Sequence, residues 1–148
     1  YNYSMQTVIS GEAKAIESVS QELKELGAKR VIPLKTSGPF HTKALEEASK
    51  EFYKDLQKVE FKAGNGVNVI KNLDGSTYKV GDNFAEILSK HIVSPVRFDK
   101  ALNIFKNENV DTFLEIGPGK SMTGFVNKEK LEGLALNLQK VEDLEKLK

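Results

Sequence analysis

Thr112-Phe113-Leu114-Glu115-Ile116-Gly117-Pro118-Gly119-Lys120-Ser121 is the stretch on which the fold reading turns. Five residues rich in β-formers read as a strand, and Gly-Pro-Gly stops it. A helical stretch follows to about Asn127. Gly133–Leu138 then reads as a last strand and Val141–Leu147 as a last short helix. Upstream, Phe98, Ala101, Leu102 and Phe105 mark a helix. Phe84, Ile87, Leu88 and Ile92 mark another over Asn83–His91, before the interruption at Pro95. Leu73-Asp74-Gly75-Ser76 is a turn after a strand at Asn65–Lys71. Further back, Leu45, Ala48, Phe52, Leu56 and Val59 predict the buried stripe of a helix from about Lys43 to Val59. Arg30–Leu34 and Thr7–Ser10 read as strands. Between them Ile16, Val19, Leu23 and Leu26 share one helix face, with Glu12 near its start and Gly27 at its stop. Tyr1–Tyr3 reads as a strand end, with a turn near Ser4-Met5. Strands alternating with helices of these lengths predict the α/β class.

Composition narrows the function. The chain has 148 residues, 39% hydrophobic and 29% charged, with a net charge of +1, as expected of about one soluble domain. No basic stripe with interleaved aromatics supports nucleic-acid binding. No apolar run approaches the roughly 20 residues that span a bilayer. The absence of Cys removes thiolate chemistry and disulfides and suits a reducing, cytoplasmic setting.

His41 is the chemically richest residue. It follows the segment Arg30–Leu34 on the loop Thr36-Ser37-Gly38-Pro39-Phe40, and loops at strand ends are where α/β folds place catalytic groups. An imidazole titrates near pH 6.5, so it can trade protons at neutral pH. The other reading is a loop imidazole hydrogen-bonded for structural reasons. His91, late in a predicted helix, reads alone as a helix C-terminal cation. Two distant His residues without a third ligand pattern make a weak metal site.

Glu115–Ser121 resembles a phosphate cradle, with glycines leading into a helix N-terminus. It lacks the P-loop spacing, and the plainer reading is a tight strand-to-helix turn. Asn2 and Gln6 alone read as turn and strand-edge polars. Glu46-Glu47 and Lys128–Lys130 read as solvated helix faces. No Gly-x-Ser-x-Gly elbow occurs, and Ser37 shares the loop of His41. The chain therefore offers a base without an evident nucleophile.

Four segments together resemble the C-terminal half of a bacterial malonyl-CoA:acyl carrier protein transacylase. They are Tyr1-Asn2 with Gln6–Gly11, Gly27–Leu34 leading to Ser37–His41, His91–Phe98, and Glu115–Lys120 with Thr123-Gly124. Their shared order across nearly the whole chain makes the resemblance specific. It departs at Tyr3-Ser4-Met5, where the family has Ser-Pro-Gly, and at His91, where the family usually has Gln.

The resemblance implies ping-pong acyl transfer through a Ser acyl-enzyme. It implies His41 as catalytic base, oriented by the backbone carbonyl at His91. Asn2 and Gln6 would line the acyl pocket. Phe40 would favour malonyl over methylmalonyl. Malonyl-CoA, acyl carrier protein and the N-terminal half of the same enzyme are the implied partners. That half would carry the Ser elbow, the oxyanion hole and the carboxylate-binding Arg. Coenzyme A enters as a thioester substrate, and no metal or redox cofactor is implied. The implied fold is the C-terminal part of an α/β-hydrolase-like acyltransferase domain (residues 36–148) plus part of a ferredoxin-like small subdomain (residues 1–35). A carrier-binding fragment without catalysis and an acyl-thioester hydrolase of the same fold are the rival readings.

Overall fold

The computed structural model describes residues 1–62 and 66–147. The chain divides into two compact units, each assembled from separate stretches.

One unit comprises Tyr1–Thr7, Ile70–Thr77 and Arg97–Lys148. Its centre is the β–α–β segment expected from Thr112 onward. Strand β1 (Thr112–Ile116) pairs in parallel with β2 (Leu134–Leu138), Thr112 opposite Leu134 and Ile116 opposite Leu138. Parallel neighbours need a crossover connection, which a helix at Ser121–Glu129 supplies. Gly133 makes the return to β2 possible. Its φ is +128°, and a Cβ there would come within 2.3 Å of the Asp111 carbonyl oxygen. A helix at Phe98–Asn107 contributes Ala101 and Leu102 to the buried apolar set, with Val126 and Leu138. Phe105 meets Phe113 edge-on at 5.7 Å between centroids, and Tyr3 stacks on Phe125 at 5.8 Å. The chain ends in a 3-10 helix, Val141–Leu147.

The other unit comprises Val8–Val69 and Tyr78–Val96. Numbering the helices in chain order, it holds α1 (Ala13–Glu25), α2 (Glu46–Leu56) and α3 (Phe84–Ile92); Phe98–Asn107 is α4 and Ser121–Glu129 is α5. Helix α1 stops where Gly27 takes a φ of +96°. The Asn83 side chain caps α3 by accepting from the Glu86 amide at 3.1 Å. Phe84 stacks between Tyr78 and Phe61 at 5.1 and 5.3 Å.

Helices α2 and α3 pack through small residues. Ser49 and Ser89 are buried, and the Ser49 hydroxyl donates to the Ser89 carbonyl at 2.6 Å. This corrects the expected α2 stripe. Leu45, Ser49, Tyr53 and Leu56 face inward, whereas Ala48, Phe52 and Val59 are exposed. A satisfied hydroxyl is cheap to bury, and its small volume lets the two backbones approach. Helix α1 likewise turns Ile16, Ser20 and Leu23 partly inward but leaves Val19 and Leu26 exposed.

Three expected strands do not form among the described residues. Thr7–Ser10 and Arg30–Leu34 carry no ladder, and the described part of Asn65–Lys71 carries only the Ile70–Thr77 bridge. Asn65 itself lies outside the described residues. A strand exists by pairing, and β-branched composition alone does not supply a partner. Among the described residues, no helix is long and apolar enough to cross a membrane.

Candidate active site

The loop before α2 is folded on itself. Thr42 donates from its hydroxyl to the Pro39 carbonyl at 2.8 Å and accepts from the Ala44 amide, capping a 3-10 turn at Lys43–Leu45. Phe40 lies over Gly38, half-exposed. This closure leaves His41 with a φ of +59°, the left-handed region that non-glycine residues rarely occupy. Strain of that kind concentrates at functional sites and costs of order 1–3 kcal/mol.

His41 Nδ1 lies 3.1 Å from the His91 carbonyl oxygen. A carbonyl has no proton to give, so Nδ1–H must donate. In the neutral ring the lone pair is then on Nε2, the nitrogen left free for proton transfer. His91 is in the last turn of α3, and its carbonyl also accepts from the Ser94 amide at 3.4 Å. Among the described residues, no hydroxyl is hydrogen-bonded to the His41 ring.

The His91 side chain is not the helix-terminal cation expected from its position. Burial, and secondarily the charge of His41, lower its pKa from the ordinary imidazole value. Its Nε2 is buried without a hydrogen-bond partner among the described residues. The two rings lie 5.0 Å apart at an interplanar angle of 40°. Ring contact and buried nitrogen could not be read from the sequence, because they depend on a loop fifty residues away.

Asn2 and Gln6 belong to the other unit. There they face each other across the Ser4-Met5 turn, Asn2 Nδ2 donating to Gln6 Oε1 at 2.9 Å, beside the Tyr3–Gln6 bridge. The Gly-Pro-Gly loop behaves as a turn and not as an anion cradle. The Glu115 carboxylate accepts from the amides of Met122 and Thr123 and from the Thr123 hydroxyl, at 3.1, 2.8 and 2.7 Å. It therefore already fills the N-terminus of α5. Burial pushes the Glu115 carboxyl up. The hydrogen bonds from Thr123, Met122 and Ser121 outweigh that and hold it below its ordinary value. Among the described residues, no cluster of three or more His, Asp or Glu side chains could hold a metal ion.

No family model matches the chain. It is 42% identical over 123 residues to the malonyl CoA-acyl carrier protein transacylase of Bacillus subtilis (strain 168), covering 83% of this chain and 38% of that protein. Among solved structures, the malonyl CoA-acyl carrier protein transacylase from Clostridium perfringens superposes with a TM-score of 0.91 at 38% identity, over 99% of this chain and 46% of that one. A malonyl-transacylase in complex with a type II polyketide synthase acyl carrier protein superposes with a TM-score of 0.83 at 27% identity, over 91% of this chain and 43% of that one. The chain spans less than half the length of these relatives.

Proposed function

We propose, for a chain that is a homologue of the C-terminal portion of the malonyl-CoA:acyl carrier protein transacylases, that it supplies the general base of an acyl transfer from coenzyme A to carrier protein. One observation carries the reading: the His91 carbonyl fixes the His41 tautomer and leaves Nε2 as the free acceptor.

The nucleophile in this scheme is a Ser on the portion of the relatives that this chain does not span. His41 Nε2 removes the Ser proton as the oxygen attacks the malonyl thioester carbonyl. The tetrahedral adduct collapses, the C–S bond breaks, and the imidazolium returns its proton to the coenzyme A thiolate. In the second half the carrier's phosphopantetheine thiol gives its proton to His41 and attacks the acyl-Ser ester. Ser then leaves with the proton. General base catalysis of this kind contributes about 10²–10⁴-fold. Phe40, beside the base, narrows the acyl pocket against a branched malonyl. Asn2 and Gln6, a mutually bonded pair, take the substrate-binding role that the resemblance implies for them. The division near residue 35 into a small and a large subdomain and a cytoplasmic setting complete the reading.

The test is malonyl-CoA turnover by the full-length protein that carries this sequence. Stoichiometric release of coenzyme A, then malonyl transfer to carrier protein, is the expected result. His41→Ala should abolish the release phase. Malonate release to water at the same rate with and without carrier would favour a hydrolase. An unaltered release phase in His41→Ala would remove His41 from the chemistry.

A further inference from the structure

We propose that the side chain of His91, and not only its backbone, is a positioning residue for His41: its imidazole backs the His41 ring as a neutral plane, so that the proton taken up in the reaction resides on His41. This rests on the reading of His41 as the base.

Three observations carry it. The rings are in contact, 5.0 Å between centroids and tilted by 40°, so the His91 ring limits how far the His41 ring can swing about its single hydrogen bond. The two residues are also joined through Nδ1 of one and the carbonyl of the other. Ring and carbonyl therefore hold His41 at two places, from one residue on one rigid helix.

The third observation is the buried Nε2 of His91, which has no acceptor among the described residues. A proton there would be an N–H with nothing to receive it, and burying an unpaired polar group is costly. The cheap form of His91 therefore leaves Nε2 bare and places its one proton on Nδ1. Charging the ring would require the orphan proton and would also set a second imidazolium against His41.

Most acidic groups of the neighbouring helices are themselves paired with lysines. On α3, Glu86 pairs with Lys90. On α2, which packs against α3, Glu47 pairs with Lys50, Glu51 with Lys54 and Asp55 with Lys58, all at exposed positions. Burial first, and then the charge of His41, hold the His91 imidazole below its ordinary value.

A neutral ring at this place has a consequence for the base. When His41 accepts a proton it becomes a cation beside an uncharged, polarisable neighbour. A charged neighbour would weaken His41 as a proton acceptor at the moment of transfer.

The test uses the full-length protein labelled with ¹⁵N in histidine, with the two rings assigned through His41→Asn and His91→Phe. Expected in the unsubstituted protein is a His91 ring whose neutral ¹⁵N pattern, bare at Nε2, persists below the ordinary imidazole midpoint. In His41→Asn the His91 midpoint should rise. His91→Ala, which keeps the carbonyl, should lower the acylation rate with little change in KM. His91→Phe should restore most of that loss, because it returns a neutral ring. His91→Lys, which places a cation beside the base, should lower the acylation rate further than His91→Ala. A His91 ring that titrates like free imidazole, or carries its neutral proton on Nε2, would overturn the proposal. So would acylation by His91→Ala equal to that of the unsubstituted protein. Full acylation activity in His41→Asn would instead sink the reading of His41 as base, an outcome separate from what the His91 spectra of the unsubstituted protein show.

Discussion

His41 is held by the main chain of His91: Nδ1 of one stands 3.1 Å from the carbonyl oxygen of the other. A carboxylate in that place would anchor the ring with a full charge. A carbonyl at the end of α3 does it with a dipole, and its position depends on the helix and not on a rotamer. Anything that shifts α3 against the His41 loop therefore acts on the base.

Ser49→Leu is the sharpest such change. Its side chain would enter the α2–α3 contact where the Ser49 hydroxyl now bonds the Ser89 carbonyl. Overpacking of this kind costs about 1–3 kcal/mol. Thermal unfolding should show a lower Tm, and activity should fall more than the fraction folded. Ser49→Ala should cost only about 1 kcal/mol and spare activity.

His41→Gly should be more stable than His41→Ala by about 1 kcal/mol, since Gly reaches positive φ without a Cβ penalty. Both should lack acyl transfer. Urea denaturation followed by circular dichroism decides it. Equal midpoints would mean that the loop relaxes its backbone without the side chain.

Acid stability should depend on two carboxyls of the β-strand unit. Glu115 is held below its ordinary value of 4.5 by Thr123 and its neighbouring amides, against burial. Asp143 is held down to about 2, first by Lys146 and then by the amides of Gln139 and Lys140. Both folded values lie below the unfolded ones. The stability they add is therefore complete above the unfolded values and is lost as pH falls through the folded ones. Glu115→Gln should be less stable at neutral pH and should flatten the stability–pH curve on its acid side. A parallel curve would show that Glu115 adds nothing by its charge.

Phe40→Ser should relax discrimination against a branched malonyl thioester. One methyl in an apolar pocket is worth about 1–3 kcal/mol, or roughly 10–200-fold in kcat/KM. Competition between malonyl-CoA and methylmalonyl-CoA in the full-length protein reads it directly. An unchanged ratio would place Phe40 outside the acyl pocket.

Most helices and the β1–α5–β2 segment were legible in the sequence because periodicity and glycine stops are local signals. Gly27 ends α1 and Gly117-Pro118-Gly119 ends β1 where expected. The strands at Thr7–Ser10 and Arg30–Leu34 were not, because local composition carries no information about a pairing partner. The α2 stripe was misread at Ser49 because a hydroxyl looks polar until its acceptor, forty residues away, is known. Among candidate site residues, His41 stood out by chemistry and loop position. The burial of the His91 ring had no local signal, and neither did the turn of Glu115 back onto α5.

That turn of Glu115 changes what the Gly-Pro-Gly loop can be to the surrounding solution. A carboxylate tethered a few residues from the amides it binds acts as an intramolecular competitor, with an effective concentration of order millimolar or above. Dissolved phosphate or sulfate would have to displace it, and would gain only the few contacts that the tether already makes. The Met122 and Thr123 amides thus meet the solution already engaged by a carboxylate of the same chain.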